Sequence, residues 1–149
     1  MRKIRFIIPG KPKGKARPRF TKNGGAYTPD DTIKYEKFVG IMYRSAGGRE
    51  IEAKTPVSVH ITAIYPIPQS ANKAVKALMH EAKILPVGKP DIDNVTKIVL
   101  DGLNGIAWHD DAQVVSVLAE KEYGEDACVI VTIETLPTGI EQYRGGARG

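Results

Sequence analysis

The sequence is short of the residues that build covalent or metal cross-links. Among its 149 residues there is one cysteine, Cys128, which excludes a disulfide framework and a cysteine zinc site. The three histidines, His60, His80 and His109, do not stand at zinc-type spacing. His109 next to Asp110 could act as a base or a phosphate contact, although an exposed histidine in a turn is the more ordinary interpretation. No Gly-x-x-x-x-Gly-Lys-[Ser/Thr] run is present, so a P-loop nucleotide site is unsupported.

Long apolar runs are missing as well. No stretch of about 18 or more apolar residues occurs, so the sequence predicts no transmembrane helix. The opening run Met1–Pro9 is too short, and too often interrupted by basic residues, to be a signal peptide. Together with the single cysteine, these features predict a cytoplasmic protein without a membrane partner. The length predicts one domain, with a core large enough to fold without cross-links.

Acidic residues are absent from the first part of the chain. None occurs before Asp30, whereas basic residues are frequent there: Arg2, Lys3, Arg5, Lys11, Lys13, Lys15, Arg17, Arg19 and Lys22. The formal net charge of +5 therefore understates how unevenly charge is distributed. A segment of one sign on a protein of mixed charge is typical of phosphate binding. A merely solvated basic surface explains such a stretch about equally well.

Four runs of alternating apolar residues predict β-strands. They cover Lys3–Ile8, Val57–Tyr65, Val114–Lys121 and Ala127–Thr135. The last two runs are joined through Tyr123–Asp126, which predicts a hairpin-like connection. Residues Lys11–Tyr27 and Lys83–Pro90 show no periodicity, and both segments are predicted to be loops.

Three segments have helical spacing. The first is predicted to begin with a Thr28 cap followed by proline and two acids, and to end at Gly47. The second is predicted to be capped by Ser70, and the third covers Ile92–Leu103 and ends at Asn104 and Gly105. The residues predicted to face the core are Ala71, Ala74, Val75, Leu78, Met79 and Ala82 in the second helix, and Val95, Ile98 and Val99 in the third.

The predicted order of elements is β-α-β-α-α-β-β, without internal repeats. This order predicts an α+β fold in which a mixed β-sheet of about four strands carries helices mainly on one face. The folded domain is predicted to span residues 1–136. Residues 137–149 contain four glycines and little apolar material, so a flexible C-terminal tail is predicted.

Two acidic pairs flank the third predicted helix. Asp91 and Asp93 lie at its start, and Asp110 and Asp111 follow it after the turn at Asn104. Each pair alone has an ordinary explanation, as a helix cap or a turn. Because the chain reverses between the pairs, the next strand can run back beside the helix and place Asp111 near Asp91 and Asp93. Carboxylates brought together repel one another unless a cation lies between them, which predicts a site for a hard cation such as Mg²⁺.

Lys97 lies on the same predicted helix, four residues from both Asp93 and Asp101. A surface ladder of ion pairs is the ordinary explanation for this spacing. The functional alternative is that a lysine beside a metal site compensates developing charge or orients a nucleophile. Phosphodiester cleavage needs an activated water and a neutralised transition state, and Mg²⁺ held by aspartates can provide both. An acidic centre in a basic protein therefore favours an enzyme that cuts a polyanion.

These residues resemble the RusA family of Holliday junction resolvases, endodeoxyribonucleases common in bacterial and prophage genomes. The similarity covers Lys89-Pro-Asp-Ile-Asp-Asn94, Lys97, Asp101-Gly-Leu-Asn-Gly105, Trp108 and Asp110-Asp-Ala-Gln-Val-Val115. The segments Gly14–Phe20 and Tyr27–Pro29 resemble a large branch of the same family. In one respect this chain differs: some members have a run of arginines just before the first aspartate, where this chain has Val87-Gly-Lys-Pro90.

The resemblance implies a Mg²⁺-dependent homodimer, with Mn²⁺ able to substitute, that makes paired symmetric nicks in four-way DNA junctions during recombination and repair. It assigns metal binding and catalysis to Asp91, Asp93 and Asp111, and an essential catalytic role to Lys97. Asp110 matches a neighbouring acid that is counted with the metal ligands. Contacts with DNA are expected from the basic residues Lys11, Lys13, Lys15, Arg17, Arg19, Lys22 and Lys89.

Two other functions stay open on the sequence alone. One is a less selective Mg²⁺ nuclease that acts on flaps, forks or replication intermediates. The other is a DNA-binding module without catalysis, in which the acids are caps and the basic loop alone binds. If Lys11–Lys22 does not contact DNA, the junction surface is expected around Lys73, Lys76, Lys83 and Lys89.

Overall fold

The computed structural model describes residues 2–137, so the predicted tail lies outside the described residues except for Pro137. The strands are β1 (Lys3–Pro9), β2 (Arg19–Phe20), β3 (Ala26–Tyr27), β4 (Val57–Pro66), β5 (Val114–Gly124) and β6 (Cys128–Thr135). The helices are α1 (Asp30–Ser45), α2 (Lys73–His80) and α3 (Ile92–Leu103), and a single 3₁₀ turn covers Asp111–Gln113. The predicted α+β class is confirmed. The short hairpin of β2 and β3 was not predicted, because it lies in a segment predicted to be a loop.

The main sheet has four strands in the order β1-β6-β4-β5. Strand β6 is antiparallel to both β1 and β4, whereas β4 and β5 are parallel. The predicted hairpin-like connection between β5 and β6 is therefore wrong, because β4 lies between them. The chain instead crosses the end of β4, where the Ile67 N–H donates to the Gly124 carbonyl at 3.1 Å. Strand β4 is strongly apolar and lies inside the sheet, where every second side chain is buried. Strand β5 has several exposed residues and forms the edge of the sheet.

One face of the sheet is covered by α1 and α3, as the alternation predicts. Strand β4 turns every second residue inward, and these residues are buried: Val57, Val59, Ile61, Ala63 and Tyr65. They pack with buried residues of α1 and α3, among them Tyr43, Val99 and Leu103. Burying an aliphatic side chain of this size stabilises the fold by about 1.5–3 kcal/mol. The opposite face is half-buried to exposed and mixes polar side chains with apolar ones such as Ile7 and Leu118. On this face His60 Nε2 lies 2.9 Å from Glu120 Oε1.

The helix boundaries agree with the sequence best at α3. Its bounds are those predicted, and Val95, Ile98 and Val99 are buried as expected. The predicted caps of the other two helices are wrong. Pro29 occupies the N-cap position of α1 without a side-chain cap, and Asn72 caps α2 by accepting the Val75 N–H at 2.9 Å.

The predicted core face of α2 is also wrong. Of the residues within α2, only Met79 is buried, and Leu78 is exposed. The physical reason is position: α2 contacts the edge strand β5 instead of the central sheet, so its apolar face has little to cover it. Within residues 2–137, none of the helices combines the length and the apolar character needed to cross a membrane.

Gly102 sets how closely α1 and α3 approach. A Cβ at this position would lie 2.8 Å from the Glu36 carbonyl oxygen and 2.9 Å from Val39 Cβ. Overpacking of this kind costs about 1–3 kcal/mol, so Gly102→Ala is expected to lower the free energy of unfolding in urea. Gly88→Ala is the matched control, because a Cβ there would meet nothing within 4 Å. If the free energy of unfolding of Gly102→Ala instead rises by about 1 kcal/mol, which is the gain of alanine over glycine in a helix, the helices can move apart easily.

Candidate active site

An open cleft lies between α3 and the edge strand β5. Three residues of α3, spaced four apart, share one helical face and form one wall: Asp93, Lys97 and Asp101. Asp111 lies in the 3₁₀ turn just before β5, and Val117 and Ala119 of β5 line the opposite wall. We refer to this as the aspartate cleft. The reversal of the chain after α3 thus brings together three of the predicted catalytic residues and adds Asp101.

Asp91 and Asp110 lie on adjoining surfaces. Asp91 lines a separate groove with Lys13, Lys89 and Asn94. Asp110 lines a hollow beside His109, and its carboxylate accepts the Ala112 N–H at 3.0 Å as the cap of the 3₁₀ turn. Within residues 2–137, no three acidic, histidine or cysteine side chains are grouped closely enough to enclose a metal ion by themselves.

Asp111 is held in place by a tryptophan. The Trp108 Nε1–H donates to Asp111 Oδ1 at 2.7 Å, and Trp108, which is the sole tryptophan of the chain, is fully buried. Partial burial raises the pKa of Asp111, the Trp108 hydrogen bond opposes that shift, and the negative charges of Asp101 and Asp110 add to it. The carboxylate is therefore fixed through one oxygen, partly buried and near the negative charges of Asp101 and Asp110, and a bound cation would stabilise it.

Gln113 fixes the turn that carries Asp111. Its Oε1 accepts the backbone N–H groups of His109 and Asp110 at 2.9 and 3.1 Å. Its Nε2 donates to the carbonyls of Glu52 and Thr55 at 2.9 and 3.1 Å. The side chain is buried with all of these bonds made, so the turn has one well-defined conformation. Gln113 belongs to the Asp-Asp-x-Gln motif, but its role as a buried support of the turn was not predicted, because Glu52 and Thr55 are distant in sequence.

Lys97 does not form the ladder of surface ion pairs that its spacing from Asp93 and Asp101 suggests. Its side chain is exposed in the aspartate cleft, and within residues 2–137 it forms no ion pair with Asp93 or Asp101. Asp101 is bound instead by Lys15, whose Nζ lies 3.1 Å from Asp101 Oδ2. The ladder therefore does not account for Lys97, and its ammonium group is available to an anion in the cleft.

The residues expected to contact DNA fall into two groups. Lys11, Arg17, Arg19, Lys22 and Lys89 are exposed. Lys13 and Lys15 instead form ion pairs with the protein: Lys13 with Asp31 at 2.6 Å, and Lys15 with Glu36 at 2.7 Å as well as with Asp101. We refer to Lys11–Lys22 as the basic segment.

Two exposed aromatic residues accompany the basic segment. Phe20, on β2, is 74% exposed, and Tyr27, on β3, is 49% exposed. Phe20 follows Arg19 in the chain, and Tyr27 lies opposite Arg19 across the hairpin of β2 and β3. No role for either ring was predicted from the sequence. Aromatic side chains beside cations are typical of surfaces that bind unpaired nucleotides, because bases stack on the rings.

The loop that leads to Asp91 is tied to the sheet. Tyr65 Oη donates to the Pro90 carbonyl at 2.6 Å, and Lys121 Nζ donates to the Gly88 carbonyl at 2.6 Å. Lys121 also lies 4.8 Å above the Tyr65 ring. These contacts fix the entry to α3, and therefore the positions from which Asp91 and Asp93 project.

Comparison with known proteins identifies the family. Residues 9–134 match the family model described as endodeoxyribonuclease RusA, and this range contains every residue of the aspartate cleft. The chain belongs to the RusA family. It is also 34% identical over 134 residues to the uncharacterized protein YqaN of Bacillus subtilis (strain 168), an alignment that covers 87% of this chain and 94% of that protein. The family resemblance seen in the motifs is thereby confirmed.

Proposed function

We propose that this RusA-family protein is a Mg²⁺-dependent endodeoxyribonuclease that resolves four-way DNA junctions by paired, symmetric nicks. The observation that carries the proposal is the aspartate cleft, in which Asp93, Asp111 and Lys97 line one surface. Family membership supports endonuclease activity on DNA. The exposed cations of the basic segment provide charge complementary to the phosphates of a DNA substrate.

The donor atoms of the cleft suit magnesium. Mg²⁺ prefers oxygen ligands and is commonly held by one or two carboxylates, with water and substrate phosphates completing its coordination. Asp93 and Asp111 can supply these carboxylates. Asp91 and Asp110, on the adjoining surfaces, are the further proposed ligands. Mn²⁺ accepts the same oxygen ligands and is expected to substitute.

The chemistry is hydrolysis of one phosphodiester bond. A bound Mg²⁺ would neutralise phosphate charge and help to activate water. The water oxygen adds to phosphorus, one P–O bond to the neighbouring nucleoside breaks, and the departing oxygen receives a proton. Trp108 keeps the Asp111 carboxylate oriented, and Lys97 places a positive charge where the phosphate gains negative charge in the transition state.

The proposal includes a homodimer in the cytoplasm, acting in recombination and repair of bacterial or prophage DNA. A four-way junction has two-fold symmetry, so two sites related by a two-fold axis can make the two symmetric nicks. DNA as the substrate places the enzyme in the compartment that holds the chromosome.

Cleavage of labelled DNA by the purified protein tests the function. We expect Mg²⁺-dependent paired nicks in a four-way junction, with little cutting of linear duplex, flap or fork, and none by Asp93→Asn. Equal cutting of flaps and forks would identify a less selective nuclease. Junction binding without cutting, in the wild type as in Asp93→Asn, would identify a DNA-binding module.

A further inference from the structure

Lys15 is the one residue of the basic segment whose ammonium group joins two helices. Its Nζ lies 2.7 Å from Glu36 Oε1 on α1 and 3.1 Å from Asp101 Oδ2 on α3. The Lys15 side chain is only 18% exposed. Burial lowers the pKa of Lys15, but the hydrogen bonds and charges of the two carboxylates outweigh it, so the pKa is raised.

The backbone at Lys15 is hydrogen-bonded to α3 as well. The Lys15 N–H donates to the Asn94 carbonyl at 2.9 Å. Gly14 packs so tightly here that a Cβ would lie 2.9 Å from Pro90 Cβ and 3.1 Å from Asn94 Cβ. The chain therefore crosses the start of α3 in one defined place before it continues to Arg17 and Arg19.

These contacts make Lys15 a poor phosphate ligand. A phosphate would have to displace two bonded carboxylates from the ammonium group, and the three groups together carry a net negative charge. An unpaired carboxylate in a half-buried position would then remain, which is unfavourable. Arg17, Arg19 and Lys22 are exposed, so they can bind phosphates without such a loss.

We propose that Lys15 is a positioning residue, which fastens the basic segment to α1 and α3 and so places DNA held by that segment over the aspartate cleft. The connection is short, because Asp101 lines the cleft and is bound directly to Lys15. This inference rests on the proposed function, since it assumes that DNA occupies the cleft. A displacement of reacting groups by about 1 Å can lower a rate by about 10²-fold, so loss of the anchor is expected to affect turnover.

The salt dependence of binding separates positioning from phosphate contact. Lys15→Met is expected to lower turnover at saturating junction by about 10-fold or more. The slope of binding against salt should stay near the wild-type value, because each phosphate contact contributes about −0.9 and none is lost. Lys15→Arg, which can bridge the same carboxylates, should restore most of the turnover. Lys3→Met removes an exposed lysine from the open face of the sheet and controls for net charge.

The opposite pattern would overturn the inference. A slope flattened by about 0.9 with unchanged turnover would make Lys15 a phosphate contact. Glu36→Gln is a second test of the same inference, in which Lys15 itself is unchanged. A positioning role predicts lower turnover for this variant, whereas a phosphate contact predicts tighter DNA binding, because the freed ammonium group becomes available.

A measurement without DNA keeps this test independent of the proposed function. Amide hydrogen exchange in residues 11–22 should become faster in Lys15→Met and stay near wild type in Lys15→Arg, because only the former loses the anchor. Unchanged exchange in Lys15→Met would refute the anchor. If the wild type cuts no DNA while exchange behaves as expected, the proposed function fails and the anchor stands.

Discussion

Asp93→Asn is expected to abolish junction cleavage, with a loss of at least about 10²–10³-fold, the range seen when one group that stabilises transition-state charge is removed. Asp93 lies in the first turn of α3 and lines the aspartate cleft. Asparagine has nearly the same shape but lacks the charge that holds a divalent cation. Junction binding should be unchanged or tighter, because a negative charge facing phosphates is removed. Single-turnover cleavage and equilibrium binding on the same labelled junction measure the two effects separately.

Trp108 offers an internal reporter for this variant. Its Nε1–H is bound to Asp111, so Mg²⁺ binding in the cleft is expected to change the emission of the wild-type protein, and to do so weakly or not at all in Asp93→Asn. Asp126→Asn is the matched control, since Asp126 is an exposed aspartate beyond the far end of β5. Wild-type cleavage by a pure Asp93→Asn preparation would remove Asp93 from the site. The same substitution at Asp91 and Asp111 is expected to abolish cleavage too.

Lys97→Ala is expected to reduce turnover greatly without changing the melting temperature. Lys97 is exposed and forms no ion pair within residues 2–137. Its removal therefore does not cost the stability of a helical surface pair, which is about 0.2–0.5 kcal/mol. Its expected role is to compensate negative charge on the reacting phosphate. Turnover at saturating junction and thermal unfolding are the two measurements. Lys34→Ala removes an exposed lysine of α1 and should change neither. Unchanged turnover in Lys97→Ala would rule out the catalytic role.

The fold could be predicted where the signals are local. The bounds of α3 follow from its apolar spacing and from Asn104 and Gly105 at its end, and all of these lie within a few turns of chain. The pairing of β5 could not be predicted, because its partner β4 is distant in sequence and the short connection to β6 is typical of a hairpin. The helical pattern of α2 was correct, but its burial depends on which strand it meets.

The site was predictable to the extent that α3 and the chain reversal determine it. Asp93 and Lys97 share a helical face, and the reversal brings Asp111 to them. Asp91 is the N-cap residue, outside the helical repeat, so its side chain leaves in another direction and lies in a separate groove. The partners of Lys15 could not be read from the sequence at all, because Glu36 and Asp101 belong to two different helices.

The pairing of β1 with β6 determines when, during folding, the aspartate cleft and the basic segment are assembled. Lys3 lies opposite Glu134, so the first strand of the described fold can pair only after its last strand, β6, has left the ribosome. Pairing between such distant segments makes folding slow, because a long loop must close before the contacts form. The basic segment begins just after β1, and its anchor needs α1 and α3 already packed on the sheet. The aspartate cleft and the anchor of the basic segment therefore form together, as the sheet closes, and neither is complete in a partly folded chain.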